Sequence, residues 1–174
     1  MEKYEQPQGM TAILKEMIDN DPYNKFCVDC TTNQSTHACI FYGTFVCDNC
    51  ARAHIQQLGM TKSYVKPVLS DLWDDYQMKC VTLGGNKAFW DFISQYKIER
   101  DPIGKKYRTK ATKYYKRRLS ALVQEQEFVE IQPVRNTEEL VDRGLEKSKV
   151  VLDKAETKIV GFGKYLDKKI SNLF

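Results

Sequence analysis

Cys27, Cys30, Cys47 and Cys50 are the residues of this chain best suited to chemistry: two C-x2-C pairs with sixteen residues between them. Thiolates are soft ligands, and each C-x2-C knuckle presents two of them from one turn. Two knuckles therefore supply four donors to one tetrahedral ion, for which zinc is the matching metal. Four sulfurs leave no open coordination position, so such an ion would be structural. A catalytic zinc would call on imidazole or carboxylate ligands, and His37 and His54 are the only histidines in the chain. Two disulfides are the alternative use of four cysteines. The N-terminal MEKYEQPQG contains acids and lacks both the apolar core of a secretory signal and the Arg/Ser bias of a transit peptide. A reducing, cytoplasmic setting with free, metal-binding thiols is therefore expected. Cys39 and Cys80 fall outside the pattern and read as small buried hydrophobes.

The elements that must hold these thiols can be traced along the chain. Residues Met10 to Asp19 read as a short amphipathic helix with Ile13, Leu14, Met17 and Ile18 on one side and Pro22 ending it. Between the knuckles, 38–41 and 43–46 look like two strands of a hairpin turning near Tyr42 and Gly43. After Cys50 a helix of about two turns is closed by Gly59. Ser70 and Asp71 are expected to cap a helix running to Leu83, broken by Gly84-Gly85-Asn86, and a further helix is expected from Lys87 to Tyr96. The turn 101–104 precedes a basic helix. From Lys105 to Arg118 there are eight basic residues and no acid, although the whole chain carries only +4.

A chain of 174 residues can hold one domain with a real core plus an appendage. No apolar run approaches the ~20 residues of a membrane span. The expected organisation is an N-terminal extension over 1–9, a zinc domain over 10–124, a connection over 125–135 and a C-terminal amphipathic helix over 136–174. Asn136 with Glu139 marks the start of that helix, and Leu145, Leu152, Ile159, Leu166 and Leu173 recur every seven residues. Ser148, Gly161 and Gly163 weaken it as an autonomous coiled coil. Its apolar face calls for cover by a partner protein, a peripheral membrane contact or its own domain.

Several stretches, NKFCVDC, YGTFVCDNCARAH, QQLG, LWDDYQMKCVTLGGNKA and KYRTKATKYYKRRL, together resemble the catalytic domain of the Arf GTPase-activating proteins over residues 10 to about 124. The resemblance implies an α+β fold in which a short β-hairpin and one structural Zn2+ ion on the four cysteines are surrounded by helices. It also implies an Arf-type small G protein as partner. Such proteins resemble other GTPase activators in placing an arginine beside the GTP, where its charge stabilises the transferring phosphoryl group. Loss of such a finger costs on the order of 10³ to 10⁵ in rate.

In the family this arginine directly follows the histidine of the helix after the last zinc ligand. Here the histidine is His54 and the next residue is Ile55; the family's glycine comes one residue late, at Gly59. Isoleucine has no donor or charge. Arg52 is the one substitute nearby, three residues earlier and pointing back toward the helix start. The family's tryptophan between the knuckles is replaced by His37, to which no role is assigned.

These departures imply a catalytically impaired zinc module used for protein binding within a larger assembly. A GTPase activator working through Arg52 is the enzymatic alternative. A nucleic-acid-binding zinc module, motivated by the basic helix and its interleaved Tyr107, Tyr114 and Tyr115, is a third and disfavoured reading, because the bases spread around several helix faces.

Overall fold

A computed structural model describes residues 8–69 and 72–150 of the chain. The described residues up to Pro133 form one compact unit and those from Val134 onward a second. The expected termini, 1–7 and 151–174, with most of the heptad leucines, lie outside the described residues, as do Ser70 and Asp71.

In the first unit, α1 (Gln8–Asp19) buries Leu14 and leaves Ile13 half exposed. Pro22 opens a second, single-turn helix, α2 (Pro22–Lys25), with Asp21 as its N-cap accepting from Tyr23 N at 2.8 Å. The first knuckle follows.

The expected hairpin is part of a three-stranded antiparallel sheet. Strand β1 (His37–Cys39) lies between β2 (Thr44–Val46) and β3 (Val65–Pro67), with Ala38 opposite Phe45 on one side and Lys66 on the other. Residues Ile40–Tyr42 form a 3-10 turn in place of the expected strand ends, closed by Gly43 at φ 60°. Glycine is needed there for close approach as well as for conformation: a Cβ at Gly43 would lie 2.3 Å from the Cys80 carbonyl oxygen. Strand β3 escaped the sequence reading because three residues ending in proline carry no alternation signal.

Helix α3 (Asp48–Leu58) begins within the second knuckle, earlier than the expected start after Cys50, and ends at Gly59 as expected. Helix α4 (Asp75–Leu83) starts later than expected, because Asp74 and Gln77 form a capping box in which the Asp74 side chain accepts from Gln77 N at 2.8 Å. Trp73 therefore precedes the helix and donates its indole N–H to the Val68 carbonyl at 3.1 Å. Helix α5 (Asn86–Ser94) is followed by α6 (Ile103–Lys106) and α7 (Lys110–Val123). The basic stretch is thus two helices, divided where Thr109 caps α7 by accepting from Thr112 N at 3.2 Å.

The core joins the sheet to α5 and α7 through aromatic rings. Phe89 stacks on Tyr107 with centroids 5.6 Å apart, and Tyr42 and Tyr115 meet Phe89 edge-on. After α7 the chain turns and lies back on that helix. Phe128 packs edge-on against Tyr114, Glu130 pairs with Arg117 at 2.6 Å, and the Tyr96 hydroxyl donates to the Pro133 carbonyl.

In the second unit residues 137–150 are helical. The Asn136 side chain accepts from Glu139 N at 2.8 Å, and Glu139 pairs with Arg135 and Arg143. Leu140, Val141, Leu145 and Val150 are each more than half exposed.

Candidate metal centre and the helix it anchors

Cys27 and Cys30 come from the loop after α2, Cys47 is the N-cap of α3 and Cys50 lies in its first turn. The four sulfurs all lie within 4.8 Å of one another. Cys30 Sγ and Cys47 Sγ are 3.8 Å apart, nearly twice a disulfide bond of about 2.05 Å. Four thiolates around zinc at ~2.3 Å stand about 3.8 Å from each other, so this donor set fits one structural Zn2+ ion. All six cysteines are free, which leaves the two-disulfide alternative without support.

Electrostatics agree with that fit. A hydrogen bond from the Cys50 thiol, opposed by burial and helped by backbone N–H groups of Cys30, Cys47 and Asp29, pulls the Cys27 pKa down to about 5. The same Cys27 contact, followed by burial, pushes the Cys50 thiol far up. Burial also raises Cys47. Sulfurs this close share protons unless a cation lies among them, and a bound dication would let all four be thiolates.

Asp29 sits inside the first knuckle and links it to the rest of the fold. Its Oδ2 meets His54 Nε2 at 2.8 Å, while Oδ1 accepts from Lys106 Nζ at 2.9 Å and from the Tyr107 hydroxyl at 3.0 Å. His54 Nδ1 lies 2.6 Å from Ser63 Oγ, which in turn is 3.0 Å from Cys39 Sγ. Cys39 is therefore buried as expected, yet it works as a polar partner and not only as a small hydrophobe. Cys80 is buried too, and burial pushes its thiol up to about 11.

Burial alone would lower the His54 pKa, but the Asp29 and Cys39 hydrogen bonds raise it to about 10. Burial works in the other direction on Asp29, where His54 and Lys106 win and hold the carboxyl below its ordinary value. Two buried cations with one carboxylate leave a net positive charge beside a four-thiolate zinc site, whose net charge would be negative.

Asn86 is a second buried link that the sequence reading treated only as a helix breaker. Its Oδ1 accepts from Phe45 N at 2.7 Å, and its Nδ2 donates to the carbonyls of Tyr23, Phe26 and Phe45 at 3.0, 2.8 and 3.1 Å. Asn24 Oδ1 accepts from Asn86 N at 2.9 Å. Strand β2, α2 and the approach to the first knuckle are thus held to the start of α5. The Gly-Gly-Asn run was the available signal, but it spoke only of a break.

The metal-anchored helix turns one face outward. Asp48, Arg52 and Ile55 fall at i, i+4 and i+7 on that face, and Ile55 is 47% exposed. Arg52 reaches back along it, with Nη1 2.5 Å from Asp48 Oδ2 and Nη2 donating to Asn49 Oδ1 at 2.6 Å. His37 stands close enough to feel both Asp48 and Arg52, with burial as the main cause of its lowered pKa. At the far end of α3, Gln57 Oε1 accepts from Gly104 N at 2.8 Å and Arg108 donates to the Gln57 carbonyl at 2.8 Å, tying α3 to α6.

The family model ArfGap, described as "Putative GTPase activating protein for Arf", matches residues 11–130. The chain belongs to the ArfGap family. It is 31% identical over 116 residues to ADP-ribosylation factor GTPase-activating protein 3 of Bos taurus, a match covering 66% of this chain and 22% of that protein. It is 28% identical over 108 residues to ADP-ribosylation factor GTPase-activating protein GCS1 of Saccharomyces cerevisiae, covering 62% of this chain and 30% of that protein. The chain thus spans about a fifth to a third of the length of these ArfGap relatives. The crystal structure of a "putative GTPase activating protein for ADP ribosylation factor" from Cryptosporidium parvum superposes with a TM-score of 0.61 at 20% identity, covering 67% of this chain and 94% of that one. That likeness shows the ArfGap fold: a small antiparallel sheet, a four-cysteine cluster and surrounding helices. Among the described residues, no helix is long and apolar enough to cross a membrane.

Proposed function

We propose that this chain is an ArfGap module in which Cys27, Cys30, Cys47 and Cys50 hold one structural zinc ion and α3 serves protein binding without an arginine finger. The observation that carries this reading is Ile55: it follows the buried His54 on the metal-anchored helix and presents an exposed, uncharged side chain. The only arginine on that helix, Arg52, is held back by Asp48 and Asn49, which supports leaving it without a catalytic role. The half-exposed Leu140, Val141 and Leu145 on the C-terminal helix support a second contact with a protein partner.

Single-turnover GTP hydrolysis by an Arf-type G protein, with and without the full chain, tests this. Little or no acceleration is expected, and Ile55→Arg is expected to raise it. Strong acceleration by the wild type that Arg52→Ala abolishes would establish the enzymatic alternative and overturn this reading. The nucleic-acid reading loses its stacking platform, because Tyr107, Tyr114 and Tyr115 are buried in the core.

A further inference from the structure

Two of the four ligand cysteines, Cys27 and Cys47, are 1% and 3% exposed, while Cys30 and Cys50 are partly open to solvent. A metal-bound thiolate keeps negative charge, and charge taken out of water has to be met by N–H donors. Water can supply them to Cys30 and Cys50. For Cys27 and Cys47 they must come from the chain.

Asn33 reaches both buried ligands. Its Nδ2 donates to Cys47 Sγ at 3.7 Å, a reach suited to an acceptor as large as sulfur. Its backbone carbonyl accepts from Cys27 N at 2.9 Å. One residue outside the C-x2-C pattern thus holds the first ligand of each knuckle. Among the described residues, no other side chain from outside the four cysteines donates to one of their sulfurs.

The loop that carries Asn33 is fixed from both sides. Thr31 N donates to the Cys27 carbonyl at 2.8 Å, and the hydroxyls of Thr31 and Thr32 donate to the Cys30 carbonyl at 2.7 and 2.9 Å. On the far side Gln34 pairs with Phe26 in an antiparallel bridge. The Asn33 side chain is exposed, so it fills no space in the core. Its specific contact is the sulfur. An N–H bonded to a metal thiolate draws charge off the sulfur and orients it, which favours the loaded state of a centre whose net charge is negative.

We infer that Asn33 is a positioning residue of the metal centre, whose amide holds the buried Cys47 thiolate and thereby sets how tightly the zinc ion is bound. This rests on the assignment of Cys27, Cys30, Cys47 and Cys50 to zinc and adds to it a residue that ligand spacing does not reveal.

The test compares the full wild-type chain with Asn33→Ala and Asn33→Asp, both of which retain the backbone carbonyl that meets Cys27. Zinc affinity is read by transfer from the loaded protein to a chromophoric chelator. The sulfur environment is read from the thiolate-to-metal charge-transfer band after exchange of zinc for Co2+. Asn33→Ala should bind zinc about 10- to 100-fold more weakly, the usual effect of removing a partner of a metal ligand. Asn33→Asp should be at least as weak, because aspartate suits the same turns as asparagine but sets a carboxylate against the thiolate. In both variants the Co2+ band should move to longer wavelength, since a sulfur that loses an N–H gives up charge more readily. Unchanged affinity in both variants overturns the inference. So does weaker binding with the band unmoved, or an Asn33→Asp variant equal to wild type, since either would mean that Asn33 only shapes the loop. A wild-type chain that takes up no metal would remove the zinc assignment and this inference together, whereas the other adverse outcomes leave that assignment standing.

Discussion

Asp29 and His54 meet at 2.8 Å although one belongs to the first metal knuckle and the other to the helix after the second. The contact makes the knuckle and α3 one rigid piece, and Lys106 brings α6 into it from 77 residues away. Asp29→Asn removes the charge that balances a lysine only 1% exposed. We expect a loss of about 3–5 kcal/mol, the usual result of leaving a buried ion unpaired. Urea unfolding at saturating zinc measures it, and adding Lys106→Met to the Asp29→Asn variant should restore part of the stability.

The same contact has a pH signature. His54 is raised to about 10 against an ordinary value near 6.5. Its stabilising contribution is therefore complete below about 6.5 and disappears as pH rises through about 10. Melting temperature at constant zinc should fall between about pH 6.5 and 10 and level off above, and His54→Gln should flatten that fall. A profile identical in the two proteins would mean that His54 does not titrate in this range.

Metal removal should be the most damaging single change. Structural zinc in small modules contributes roughly 10–16 kcal/mol of apparent binding energy. Cys47→Ser removes a ligand that is also the N-cap of α3. It is expected to unfold the sheet and α3, with loss of far-UV ellipticity and a melting temperature lower by more than about 10 °C. A chelator should reproduce this in the wild type.

Asn86 should matter as much as a large core residue. Asn86→Ala strips three acceptors and one donor of their buried partner. A cost of about 3 kcal/mol is expected from unsatisfied groups and the lost bonds, measurable by chemical denaturation.

Two glycines with positive φ separate crowding from conformation. At Gly43 a Cβ would meet Cys80 O at 2.3 Å, while at Gly59, with φ 75°, nothing lies within 4 Å. Gly59→Ala should cost only backbone strain, about 1–3 kcal/mol, because φ 75° with ψ 160° is a conformation essentially confined to glycine. Gly43→Ala should cost more than about 2 kcal/mol, since backbone must move as well. A Gly43→Ala variant as thermally stable as the wild type would contradict the tight approach of α4 to this turn.

The metal site was legible from four cysteines because ligand spacing is a local property: two knuckles state the donor number and the ion without reference to the rest of the chain. Gly59 as a stop and the uncharged residue after His54 were legible for the same reason. Strand β3, the carboxylate of Asp29 and the amide of Asn86 were not, since each draws its meaning from partners that only folding brings near. Asn86, for instance, bonds Asn24 across 62 residues. The stretch 125–135 reads in sequence as a connection, and only the packing of Phe128 and the grip of Glu130 on Arg117 turn Val129 and Ile131 outward. The amino-acid order by itself thus determined which chemistry is available, through donor type and spacing. The tertiary structure alone decided which side chains are sealed in the interior and which face water, because desolvation and hydrogen-bond pairing depend on the whole set of neighbours.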